Sequence, residues 1–220
     1  MSSTRDSRSR YGTRKKQVMD KKTQAYLDFL RFSISDNTDV PGSVKDIDWD
    51  GLLTFGTKQC VRGVLFLGMK KLGTTNNHPS QDQLEQWLTS VSAIKKANVQ
   101  VYRDAALLTR TFKKETGLDS VVMKGQANAI KYPDPYVREP GDIDLWTMAS
   151  TRQAIRWVRS HDPKAGIEYH HIDMSGLRTP VEVITCHPSW VTSSTNGVCG
   201  DILKGKSPSS LAIWPHCQTA

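Results

Sequence analysis

Apolar residues recur at helical spacing through the first half of the chain, then give way to short, largely apolar runs after Gly117. Val18, Tyr26, Leu27, Phe29, Leu30 and Phe32 predict a helix over 17–32, and 36–43, with Pro41-Gly42, reads as a loop. Trp49, Leu52, Leu53 and Phe55, followed by Val61, Val64, Leu65, Leu67 and Met69, predict two short helices over 48–72. A loop over 73–79 leads to Ser80 and Gln83, whose spacing matches a capping box. A long helix to about Glu115 follows, with Leu84, Trp87, Leu88, Val91, Ile94, Val99, Leu107 and Leu108 expected inside and Gly117 as its stop.

Beyond that glycine, Ser120 to Met123 predicts a short strand, and Lys124-Gly125 turns into a helix bearing Ala127, Ala129 and Ile130. Tyr132 to Pro140 is a Pro-rich loop, 142–147 a second strand, and Ser150 with Gln153 opens a helix carrying Ile155, Trp157 and Val158. Two further strands, 166–174 and 177–186, are joined by a Ser175-Gly176 turn. Helices first and mixed elements afterwards predict an α+β or α/β half behind an all-helical half. The expected division is a basic tail over 1–22, a helical region over 23–116, a catalytic core over 117–200 and an irregular end over 201–220. That end has no periodicity and reads as cut or misread.

Composition changes this picture mainly at the N-terminus. Hydrophobic residues make up 37% of the chain and mean hydropathy is −0.49, so part of the chain is expected to stay unpacked. The net charge is +8, but residues 1–22 hold eight Lys/Arg against Asp6 and Asp20. The other 198 residues carry 22 basic and 20 acidic side chains and are nearly neutral. The Ser/Arg-rich tail cannot bury enough apolar area to fold alone. It reads as a solvated or upstream-misannotated start, with a nucleic-acid or acidic-surface role as the rival. Cys60, Cys186, Cys199 and Cys217 form no Cys-x-x-Cys pair, and Cys186-His187 and His216-Cys217 are neighbours that a strand would point apart. A structural zinc is therefore not expected. No apolar run spans a bilayer and no signal-like stretch opens the chain, so a cytoplasmic setting is the expectation.

The candidate chemistry centres on Asp142 and Asp144. Two apart on a strand, they share one face while Ile143 and Leu145 point to the core. Adjacent carboxylates repel, and a hard cation, Mg²⁺ or Mn²⁺, is the usual reason to keep them together. Glu182, between Val181 and Val183, would join them if its strand were adjacent, and two ions roughly 3.5–4 Å apart would then serve a phosphoryl reaction. Upstream, Lys124 offers a point charge and Gly125 close backbone approach to a phosphate. Arg138 offers a bidentate fork, unless it is engaged by Asp134 or Glu139. Gly141 precedes the aspartates and is counted with these three as nucleotide-binding. A bare Asp-x-Asp is also common among surface carboxylates. His170 and His171 are expected to be structural, and Trp146 and Trp157 are either core residues or base-stacking platforms.

The stretch from Val121 to Trp146, VVMKGQANAIKYPDPYVREPGDIDLW, resembles a bacterial nucleotidyltransferase-like family. Its hallmark is Leu-Lys-Gly, a Tyr-Pro-Asp-Pro loop, an arginine and Gly-Asp-Ile-Asp-Leu, and it is similar to the DNA polymerase beta-like nucleotidyltransferase superfamily. The resemblance covers about 30 residues closely and 50–190 more loosely. It implies an α+β fold, a small mixed sheet flanked by helices, with Lys124 and Gly125 in the phosphate turn, Asp142 and Asp144 on the metals and Glu182 as third carboxylate. Met123 replaces the family's leucine. Ile184 stands where the family has a histidine two residues after the acid, and the next histidine is His187. The family's chains are generally longer, which implies a shortened C-terminus here.

The expected activity is attack by an acceptor hydroxyl on the α-phosphate of a Mg-NTP, with pyrophosphate leaving; neither base nor acceptor is specified. One rival is an inactive or truncated module binding nucleotide or a protein, such as a toxin–antitoxin-like partner. The other is a nucleic-acid-binding protein acting through its basic tail.

Overall fold

A computed structural model describes residues 19–72 and 77–184. Residues 1–18, 73–76 and 185–220 lie outside the described residues, and with them most of the expected basic tail, the last part of the core expected over 117–200, the expected irregular end over 201–220, and Cys186, His187, Cys199, His216 and Cys217. The helical half comprises α1 (Lys21–Ile34), a 3-10 turn (Gly42–Asp46), α2 (Trp49–Lys58), α3 (Arg62–Lys71) and α4 (Gln81–Thr116). The mixed half follows as β1 (Ser120–Met123), α5 (Gly125–Ala129), a 3-10 turn (Pro135–Val137), β2 (Ile143–Thr147), α6 (Thr151–His161), β3 (His171–Met174) and β4 (Val181–Ile184). The result is a mixed α+β fold whose four-stranded sheet has the order β1-β2-β4-β3.

Local chemistry sets most of the boundaries. Asp20 and Asp48 accept the Thr23 and Gly51 N–H groups at the starts of α1 and α2. Ser80 and Gln83 close a reciprocal capping box on α4, and Gly117 ends that helix at φ 73°, a conformation that favours glycine. At the start of α6 the Ser150 N–H and hydroxyl both donate to Gln153 Oε1.

Two apolar clusters meet along α4. Phe29, Phe32, Trp49, Leu52, Leu65 and Trp87 pack the helical half. Val101, Ala105, Leu108 and Phe112, further along α4, cover one sheet face with Ala154, Trp157 and Val158 of α6. That face presents Ile143, Leu145, Ile172, Val181 and Val183. The 36-residue α4 thus serves both clusters.

Four expectations need correction. Leu88, Val99 and Leu107, which the periodicity places inside, are 44%, 37% and 50% exposed. A long helix that changes partners along its length buries a stripe, and apolar residues off that stripe face solvent. Asn98 and Asp104 occupy the stripe instead, at 0% and 6% exposure. The third strand is shorter than its apolar run, because residues 166–170 curl back so that Glu168 N–H donates to His171 O and Asp173 N–H to Gly166 O. The fourth begins at Val181, after Pro180, which has no N–H for a ladder. The helix after Lys124 is only five residues long, and Ile130 is 53% exposed.

Asp162 ties the end of α6 to the β3–β4 turn. Its carboxylate accepts the Ser175 N–H at 2.9 Å, the Ser175 hydroxyl and the Lys164 N–H at 3.1 Å. These bonds, the Ser175 hydroxyl foremost, hold its carboxyl below the usual carboxylate range. A depressed folded pKa contributes stability above the unfolded value and loses it as pH falls through the folded one. The urea midpoint of the unsubstituted protein should therefore exceed that of Asp162→Asn above about pH 4, with the gap closing as pH falls further. A gap unchanged down to about pH 2 would show that the charge is irrelevant.

Candidate active site

The sheet's second face carries the polar cluster, and strand register explains how. Asp144 of β2 lies opposite Met123 of β1 on one side and opposite Glu182 of parallel β4 on the other. Glu182 in turn lies opposite Asp173 of β3. Residues directly opposite one another share a face, so Met123, Asp144, Glu182 and Asp173 form one transverse row. The next row is Val121, Trp146, Ile184 and His171.

Alternation along β2 separates chemistry from core. Ile143 and Leu145 are 1% and 0% exposed on the covered face. Asp144 is buried at 3% exposure on the opposite one, and Asp142 is exposed just before the strand. Ligand atoms of Asp142, Asp144 and Glu182 all lie within 4.8 Å of one another. A second set, His171, Asp173 and Glu182, meets the same limit and shares Glu182, and His171 Nε2 lies 3.4 Å from Asp173 Oδ1.

The Lys124–Gly125 turn stands at the edge of this cluster. Lys124 Nζ donates to Asp144 Oδ1 at 2.7 Å. That hydrogen bond chiefly holds the ammonium above its ordinary pKa, and the negative charges of Asp144, Glu182 and Asp142 add to it. Lys124 also has φ 46°, a region non-glycine residues adopt at a cost of about 1–3 kcal/mol. Gly125 is buried between two groups. A Cβ there would lie 3.5 Å from Asp142 O and 3.8 Å from an Arg138 guanidinium nitrogen. Gly141 is exposed, and a Cβ on it would meet nothing within 4 Å.

Arg138 is not held by either neighbouring carboxylate. Glu139 is bidentate to Arg62 of α3, at 2.8 and 3.1 Å, and Asp134 accepts from Lys95 of α4 at 2.7 Å. Arg138 NH1 instead donates to the Gln126 amide oxygen at 3.3 Å. Of the two tryptophans, Trp157 packs edge-on against Phe112 in the core and donates to Glu115 Oε2, while Trp146, on the face of the acidic row, is 4% exposed beside Ile184.

Of the seven residues the sequence points to, the structure brings Asp142, Asp144, Glu182, Lys124, Gly125 and Arg138 into one neighbourhood, with Gly141 exposed beside Asp142. The sequence does not point to Asp173, Gln126 or Asn98, and it reads His171 as structural. Asp173 and His171 had one available signal, alternation along a strand ending in Asp-Met, but their partner strand is knowable only from the fold.

A profile described as uncharacterised nucleotidyltransferase matches residues 45–172, more than half of the chain. The chain belongs to that nucleotidyltransferase family. The matched region runs from the 3-10 turn before α2 into β3, so it includes Lys124, Arg138 and both aspartates. The mixed sheet with flanking helices is consistent with the nucleotidyltransferase fold. Neither the curated proteins nor the solved structures include a match. Among the described residues no helix is long and apolar enough to cross a membrane.

The acidic cluster has the chemistry of a divalent-cation site. Three carboxylates converge, one of them buried, and an all-oxygen set suits Mg²⁺ or Mn²⁺. Asp173 and His171 extend the donor set on the β3 side, where a ring nitrogen suits Mn²⁺ better than Mg²⁺.

Proposed function

We infer that the chain transfers a nucleoside monophosphate from an NTP to an acceptor hydroxyl. The observation that carries this reading is the register pairing of Asp144 with Glu182 on adjacent parallel strands, with Asp142 alongside. Asp142, Asp144 and Glu182 are the residues that would hold Mg²⁺ or Mn²⁺. When bound, such an ion supplies positive charge to the phosphate oxygens as charge develops on them.

The chain's own groups have distinct roles in this reading. Lys124, on the same face as Asp144, meets the triphosphate as a mobile point charge. Gly125 lets backbone approach the phosphates, and Arg138 adds a planar fork beside it. Gly141, exposed just before Asp142, is grouped with these residues on the phosphate side. The new bond joins the acceptor oxygen to the α-phosphorus, and the bond from that phosphorus to the β-phosphate bridge breaks. Pyrophosphate departs with the electron pair, and the acceptor hydroxyl gives up its proton to solvent. Residues 117–200 would form the catalytic core and residues 23–116 a helical region bracing it.

Pyrophosphate release should be Mg²⁺-dependent with at least one of ATP, GTP, CTP and UTP when candidate acceptor hydroxyls are supplied, and absent in Asp142→Ala. Release that survives Asp142→Ala and Asp144→Ala together would sink the assignment. A second reading, a nucleotide-binding module without turnover, is favoured by Ile184, which shares the face of Glu182 where the resembled family carries a histidine. Mg²⁺-dependent NTP binding with no pyrophosphate released under any acceptor would select it.

A further inference from the structure

We propose that Asn98 and Gln126 are positioning residues, a buried pair of amides that aims the Arg138 guanidinium at the triphosphate without neutralising it. The proposal rests on the assignment of Arg138 to the triphosphate made above. Asn98, on α4, is fully buried, and Gln126, on α5, is 1% exposed. Gln126 Nε2 donates to Asn98 Oδ1 at 2.9 Å, and Gln126 Oε1 accepts from Arg138 NH1. The Asn98 amide nitrogen is shared among three carbonyls: Ile94 O of its own helix, Tyr136 O at 2.9 Å and Arg138 O at 2.7 Å. One side chain therefore grips the backbone of the arginine loop at two points and, through Gln126, reaches the guanidinium.

Packing alone does not call for these residues. Buried amides are costly unless each donor and acceptor is matched, and an apolar residue would fill either position without that requirement. What the pair adds is orientation by a neutral partner. A carboxylate beside Arg138 would also orient it, but it would cancel the charge that attracts an anion. The two carboxylates flanking Arg138 in the chain are both engaged elsewhere: Glu139 with Arg62 and Asp134 with Lys95. Those ion pairs also anchor the loop to α3 and α4. At Gly63 of α3 an added Cβ would collide with Val137 O, so the helix and this loop touch backbone to backbone. The helical half thus holds the loop, and the amide pair sets the direction of its arginine.

The test is a double-mutant cycle on the full chain, with inorganic triphosphate and Mg²⁺ as the titrant in calorimetry. No acceptor or base need be known. Arg138→Ala should weaken binding roughly 10- to 100-fold, the scale of losing a charge-assisted contact. Gln126→Met should weaken it roughly three- to tenfold, but by less than about twofold once Arg138 is alanine, because the amide acts only through the arginine. Gln126→Glu keeps an acceptor for Arg138 but loses the donor to Asn98 Oδ1 and pairs its charge with the guanidinium, so it should bind triphosphate no better than Gln126→Met. It also covers the case in which the methionine variant fails to fold, and thermal melts identify that case. Additive losses in the cycle, or full recovery of binding by Gln126→Glu, would overturn the relay while leaving the site reading intact. Absence of triphosphate binding by the unsubstituted chain would overturn both.

Discussion

Asp144→Asn should lower Mg²⁺-dependent pyrophosphate release by about 10³-fold or more, since ligation of a catalytic cation is worth several kcal/mol of transition-state stabilisation. The fold should survive the change. Asp144 is 3% exposed, its carboxylate accepts from Lys124, and it stands within 4.8 Å of Asp142 and Glu182 ligand atoms. Asparagine keeps an acceptor for the lysine and removes one member of a mutually repelling set, two effects that oppose each other. The melting temperature should stay within a few degrees of the unsubstituted protein, and Mn²⁺ titrated against the variant should bind more weakly. Undiminished release from a folded Asp144→Asn protein would remove this residue from the chemistry. Lost release together with a collapsed melt would leave its role structural.

Leu145→Ala, one residue further on, should do the reverse. Leu145 is fully buried on the covered face, packed among Ile143, Val183 and the apolar stripe of α4. Truncating a leucine at such a position costs about 2–5 kcal/mol, transfer and cavity terms together. In a chain of this size that lowers the melting temperature by roughly 5–15 °C. The polar row lies on the opposite face of the sheet, so Leu145→Ala that remains folded at low temperature should retain most of its triphosphate affinity. A shift under about 1 kcal/mol would show that the sheet and α4 collapse around the missing methyls. The two substitutions together measure how completely a two-residue period separates function from stability on β2.

That alternation is local, which is why it can be read without a structure. Successive strand residues face opposite ways whatever the strand pairs with, so Asp142 and Asp144 against Ile143 and Leu145 specify a polar face and a core face. Ser80 with Gln83, and Gly117, likewise mark the ends of α4, because caps involve residues within one turn. The burial of α4 was less legible. Its periodicity identifies an amphipathic helix, but which azimuth is buried changes where its partner changes from α1–α3 to the sheet. Leu88, Val99 and Leu107 fall outside the stripe for that reason, and Asn98 and Asp104 fall within it. Asp104 illustrates the consequence: its carboxylate accepts the N–H and hydroxyl of Thr179, just before β4, a bond between distant segments that no local pattern announces.

The Asp-Ile-Asp-Leu segment is therefore legible from local pattern: two carboxylates on one side, an apolar pair on the other, a Lys-Gly turn before them. Tertiary structure alone decided what surrounds it. Parallel pairing of β2 with β4 sets Glu182 opposite Asp144, antiparallel pairing adds Asp173 and His171, and α3 with α4 takes the carboxylates that would otherwise quench Arg138. The reason is physical: side-chain direction along a strand follows from backbone geometry within a few residues. Strand neighbours and ion-pair partners depend on contacts between segments far apart in the chain, which form only when the whole core closes.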